Sequence, residues 1–114
     1  HLTGDKVIKS LSRILQERLR RTDIIGRYGG EEFACVLPET GNEGAMSVAG
    51  RILESVRALG IPHARSEAAG HVTISVGVAT AVPPLEGRAL DLVEKADGAL
   101  YRAKRQGRDR VVTA

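Results

Sequence analysis

The residues best suited to chemistry in this chain are Gly29-Gly30-Glu31-Glu32-Phe33, two glycines followed by two acids and an aromatic. Ile24-Ile25 before them and Phe33-Ala34-Cys35-Val36-Leu37 after them are apolar runs of strand length. The spacing predicts a β-hairpin closed by Gly29-Gly30, the shortest hairpin loop, whose backbone must reach positive φ. Such a turn lets the phosphates of a nucleotide approach the main chain, and the adjacent carboxylates are hard oxygen ligands of the kind Mg²⁺ takes. Taken alone, the turn reads first as an ordinary hairpin with solvated acids at its tip. The elements around it have to decide.

A chain of 114 residues is one domain, with enough length for a real core. Its hydrophobic content of 42% and charged content of 27% are those of a soluble globular protein. One Phe, two Tyr and no Trp leave the core to aliphatic side chains. A net charge of +3 suits an anionic small molecule. It is too mild for a nucleic-acid binder, and aromatic stacking platforms are missing. The single cysteine, Cys35, sits in an apolar strand and is expected to be a small core residue in a reducing compartment. No apolar run reaches membrane-spanning length and no signal peptide opens the chain, so a cytosolic location is expected.

Val7, Ile8, Leu11, Ile14, Leu15 and Leu19 recur at three- and four-residue spacing and predict a helix from about Asp5 to Arg21, with Arg18, Arg20 and Arg21 crowding its last turn. The hairpin follows and ends near Pro38. Thr40-Gly41-Asn42-Glu43 fits a capping box, with Thr40 at the cap. A second apolar stripe, Ala45, Val48, Ala49, Ile52, Leu53, Val56 and Leu59, runs to Gly60. Residues 61–70 read as a polar loop. Val72, Ile74, Val76 and Val78 alternate with small or polar residues, as in a strand. A third helix is expected from about Arg88 to Arg105, stopping at Gly107, and a last short strand from Arg110 to Thr113. The order is helix, strand-strand hairpin, helix, strand, helix, strand: an α/β fold with helices covering a sheet.

With these elements in place, Arg27-Tyr28 followed by Gly29-Gly30-Glu31-Glu32-Phe33 resembles the signature of the GGDEF family, the diguanylate cyclases. Gly4-Asp5 at the start of the first helix, the run Val72–Val78, the run Ala96–Lys104 on the last helix and Gly107-Arg108 match in order, so the resemblance covers nearly the whole chain. It implies a ferredoxin-like, nucleotide-cyclase palm fold, an α+β sandwich with a mixed, largely antiparallel sheet flanked by helices. It implies condensation of two GTP into cyclic di-GMP plus two pyrophosphates by a homodimer, with Mg²⁺ or Mn²⁺. On this resemblance Glu31 is a metal ligand and the general base, and Glu32 helps hold the site or the nucleotide. Gly29 and Gly30 allow close approach to phosphate, His1 and Asp5 lie near guanine and ribose, and Lys104 and Arg108 contact phosphate. Read without it, Lys104 and Arg108 are solvated helix-end cations, Asp5 is a helix N-terminal acid, and His1 is a chain end.

Arg20-Arg21-Thr22-Asp23 fits the RxxD pattern that forms the family's inhibitory product site five residues upstream of the signature, and Arg51 matches a further arginine of that site. Arginine forks suit phosphate oxygens and guanine edges, and an aspartate can accept from guanine.

The resemblance also implies a segment ahead of His1 that has no counterpart here. It would hold a central first strand, a helix, a second metal-binding Asp, a phosphate-binding Lys and an Asn that partners Asp5. A single domain over residues 1–114 lacking that strand and helix is expected to be inactive alone, and an upstream sensory or receiver domain is expected in the parental protein. Asp109 stands where the family usually has Asn, with little consequence expected. Two other readings stay open: a non-catalytic cyclic di-GMP receptor using Arg20, Asp23 and Arg51, and a structural domain with no ligand.

Overall fold

The computed structural model describes residues 2–27, 32–62, 70–82 and 89–114. The order of elements is α1 (Leu2–Arg18), β1 (Ile24–Arg27), β2 (Phe33–Val36), α2 (Asn42–Leu59), β3 (Ser75–Val78), α3 (Ala89–Arg105) and β4 (Arg110–Thr113), as the apolar periodicity predicts. The chain divides into two compact units, His1–Thr40 and Gly41–Ala114.

In the first unit, α1 buries Ile14 and Leu15, the centre of its predicted stripe. The helix stops at Arg18, three residues before the expected end. The cause is local: the Arg20 backbone N–H is given to Asp23 Oδ2 at 2.7 Å instead of to a helical carbonyl. The Asp23 N–H returns to the Arg20 carbonyl at 3.0 Å. Arg20 and Arg21 therefore belong to the turn after the helix. β1 and β2 pair antiparallel with Ile24 opposite Val36 and Arg27 opposite Phe33. Arg27 and Phe33 are the last described pair of this ladder. The predicted two-residue turn at Gly29-Gly30 lies outside the described residues. Ile24 and Val36 are both exposed. Cys35 is exposed too, against the expectation of a core cysteine, because within the first unit α1 does not pack along this short hairpin.

In the second unit, β3, α3 and β4 form a crossover with β3 and β4 parallel, Ser75 opposite Arg110 and Val78 opposite Thr113. Both α2 and α3 pack on this pair of strands. From α2 come Ala45, Ala49, Ile52, Leu53 and Val56, all buried at helical spacing. From α3 come Ala99 and Ala103, which are wholly buried. Small residues on both sides allow close approach: a Cβ at Gly77 on β3 would strike the Ala96 carbonyl oxygen and the Leu100 nitrogen of α3. Helix α2 ends as predicted at Gly60, in the left-handed conformation (φ 58°, ψ 30°). Its start differs from the expected capping box. Gly41 is the cap and no side chain caps it. The Thr40 hydroxyl is engaged elsewhere, donating to the Pro38 carbonyl at 3.0 Å and accepting from Arg20 Nη2 at 2.8 Å. Asn42 at the first turn instead ties the strand ends together, its Oδ1 accepting from the hydroxyls of Thr80 (3.2 Å) and Thr113 (2.9 Å). Only Ser75–Val78 of the alternating run Val72–Val78 is strand, since β4 offers four partners.

Candidate nucleotide and product sites

Of the residues singled out for chemistry, His1, Gly29, Gly30 and Glu31 lie outside the described residues. Glu32 leads into β2 and is exposed. Asp5 sits in the first turn of α1, where a negative charge complements the helix dipole. Lys6, Lys9, Ser10 and Arg13 lie near it along the same helix. Three cations thus stand near one carboxylate on one stretch of α1, a locally positive surface.

Lys104 and Arg108 belong to the second unit and are both exposed. Helix α3 closes in a Schellman arrangement, with Arg108 N–H on the Ala103 carbonyl (2.9 Å) and Gly107 N–H on that of Lys104 (3.4 Å). Lys104 therefore stands on the last turn of the helix, and Arg108 on the turn that leaves it. Asp109 was expected to matter little, yet it is held by Arg57 of α2, whose Nε donates to Asp109 Oδ1 at 2.8 Å.

The RxxD pair is the best-defined constellation. Arg20 Nη2 donates to Asp23 Oδ1 (3.1 Å), the Pro38 carbonyl (2.7 Å) and Thr40 Oγ1 (2.8 Å). Both Asp23 oxygens serve Arg20, and the Asp23 side chain is only 3% exposed against 56% for Arg20. Hydrogen bonds from the Arg20 guanidinium and then its backbone N–H hold the Asp23 carboxyl below its ordinary value. Asp23 is thus the anchor of Arg20, a role its sequence position alone did not reveal. The Arg20 side chain, though anchored in this way, is more than half exposed. Arg51 is exposed on α2, in the other unit.

Among the described residues no three His, Cys, Asp or Glu side chains form a group that could hold a metal ion. The predicted ligand Glu31 is not among them. No helix among the described residues is long and apolar enough to cross a membrane.

Residues 1–110 match the family model described as diguanylate cyclase, GGDEF domain. Diguanylate cyclase DgcP of Pseudomonas aeruginosa is 41% identical over 114 residues, covering the whole of this chain and 16% of that protein. Among solved structures, the coiled coil and GGDEF domain of DgcB from Caulobacter crescentus, in complex with c-di-GMP, superposes with a TM-score of 0.84 at 32% identity. That match covers all of this chain and 59% of the DgcB chain. The active GGEEF domain of a diguanylate cyclase from Vibrio cholerae gives a TM-score of 0.80 at 32% identity, covering 99% of this chain and 69% of that one. The chain belongs to the GGDEF family of diguanylate cyclases, and its α/β fold is the fold of that family.

Proposed function

We propose that this domain condenses two molecules of GTP into cyclic di-GMP, releasing two pyrophosphates, as a homodimer in which each copy holds one GTP. The observation that carries the reading is the unbroken run Gly29-Gly30-Glu31-Glu32-Phe33 inside a family match over residues 1–110. The Vibrio cholerae domain described as active is a GGEEF domain, the same five letters. In the reaction the 3′-hydroxyl oxygen of one GTP bonds to the α-phosphorus of the other, and the bond from that phosphorus to pyrophosphate breaks. Repeating the step in the opposite sense closes the ring. Glu31 accepts the hydroxyl proton, and Gly29 and Gly30 let the phosphates lie against the backbone. Glu31, with Glu32 supporting it, is a donor set of hard oxygens suited to Mg²⁺ or Mn²⁺, which would neutralise charge growing on the phosphates. Asp5 takes the donors of guanine or ribose, with His1 beside it. Lys104 and Arg108 hold phosphate. The domain works in the cytosol, where GTP is supplied, under an upstream input domain. The much greater length of DgcP supports that arrangement.

The exposed Arg20 side chain, anchored by Asp23 in the RxxD pattern, supports an added role, binding of cyclic di-GMP with Arg51 as an inhibitory site. The same residues would serve a receptor that has no catalysis. Calorimetry separates the readings. A cyclase binds both GTP–Mg²⁺ and cyclic di-GMP, a receptor binds only cyclic di-GMP, and binding of neither would overturn both.

A further inference from the structure

Three consecutive residues after α3 are left-handed: Gly107 (φ 118°), Arg108 (φ 62°) and Asp109 (φ 49°). For the glycine this is free of strain. For two residues bearing Cβ it is uncommon, and it persists where the surroundings hold the chain in place. Here the carbonyl of each is held by an arginine. Arg110 Nε donates to the Arg108 carbonyl at 2.9 Å. Arg57, 52 residues away on α2, reaches Asp109 twice, with Nε on the carboxylate at 2.8 Å and Nη2 on the backbone carbonyl at 3.1 Å. Its remaining nitrogen, Nη1, donates to Glu54 Oε1 at 2.6 Å, which fixes the fork from behind. The contact uses all three guanidinium nitrogens in one fixed plane, an arrangement the single ammonium nitrogen of a lysine would not reproduce.

We propose that Arg57 is a positioning residue for the phosphates of GTP: by gripping Asp109 it fixes the left-handed turn and so the direction in which Arg108 leaves the end of α3. This rests on the cyclase reading, in which Arg108 touches phosphate. Arg57 itself touches no nucleotide. Its effect on binding runs through Arg108, which separates it from a residue that merely stabilises α2.

The test is a double-mutant cycle on the intact protein. Calorimetry with Mg²⁺ and GTP carrying a methylene bridge between its α- and β-phosphates, which cannot release pyrophosphate, gives the affinity. R108A weakens binding by about tenfold, the loss of one charge-assisted contact partly screened by water, and R57A does nearly the same. R57A/R108A is no weaker than R108A alone. D109N, which keeps an oxygen for Arg57 Nε, retains most of the affinity. Should R57A fail to fold, D109A removes the same side-chain grip and carries the same expectations. Wild-type affinity in R57A, or a double variant that loses the product of the two single losses, overturns the role of Arg57 while leaving the cyclase reading intact. A wild-type protein that ignores the GTP analogue but takes cyclic di-GMP refutes the cyclase reading, and the inference with it.

Discussion

Two glycines of the second unit, Gly77 on β3 and Gly98 on α3, should respond in opposite directions to the same added methyl. At Gly77 a Cβ would strike the Ala96 oxygen and the Leu100 nitrogen, and would lie 2.8 Å from Leu100 Cα, where ordinary contact begins near 3.4 Å. All three are backbone atoms of α3, so no side chain can swing aside. The helix has to withdraw from β3, loosening the contacts of the wholly buried Ala99 and Ala103. Overpacking of this kind costs about 3 kcal/mol. Removing a strand glycine returns roughly 0.5–1 kcal/mol, for a net loss of about 2 kcal/mol. At Gly98, midway along α3, no described atom lies within 4 Å of the added carbon. Ala there gains about 0.8–1 kcal/mol of helix propensity. With roughly 2–4 °C per kcal/mol for a domain of ordinary size, G77A lowers the melting temperature of the intact protein by about 4–8 °C and G98A raises it by about 2–4 °C. Thermal unfolding followed by circular dichroism reads both. A G77A protein melting within about 1 °C of wild type, or a G98A protein melting below it, would refute the packing described for β3 and α3.

Other consequences are open to measurement. R20A removes the anchored guanidinium from the turn after α1, so inhibition by cyclic di-GMP should be relieved; an unaltered inhibition curve would remove Arg20 from that site. The Asp23 carboxyl, held down by Arg20, should titrate by carbon NMR below its ordinary value of 3.8. Its pairing therefore adds stability that is complete above that value and lost as pH falls through the lower, folded one; a midpoint at or above 3.8 would contradict this. G60A places a Cβ in the left-handed cap of α2 (φ 58°) and should cost about 1 kcal/mol, read in the same melting experiment.

Local periodicity revealed all seven elements, because apolar stripes at helical spacing and the glycines at 60 and 107 are properties of neighbouring residues. What it missed depends on contacts between distant ones. The early end of α1 and the failed capping box at Thr40 have one cause. Arg20 reaches Pro38 and Thr40, eighteen and twenty residues on, and with Asp23 it draws both groups out of their helical roles. Asp109 seemed inconsequential for the same reason, since its partner Arg57 lies on another helix. The period-two run Val72–Val78 shows a strand but not how many partners its neighbour offers. The family signature was legible as residue types in order, whereas the anchoring of Arg20 by Asp23 required the geometry of the turn.

The central claim meets its most direct test in turnover. The intact protein, given GTP and Mg²⁺, should form cyclic di-GMP and pyrophosphate in a ratio of about one to two, as phosphoryl transfer between two nucleotides requires. Glu31→Gln should abolish product while leaving the melting temperature unchanged. No cyclic di-GMP from the wild-type protein, or undiminished synthesis by the variant, would contradict the account.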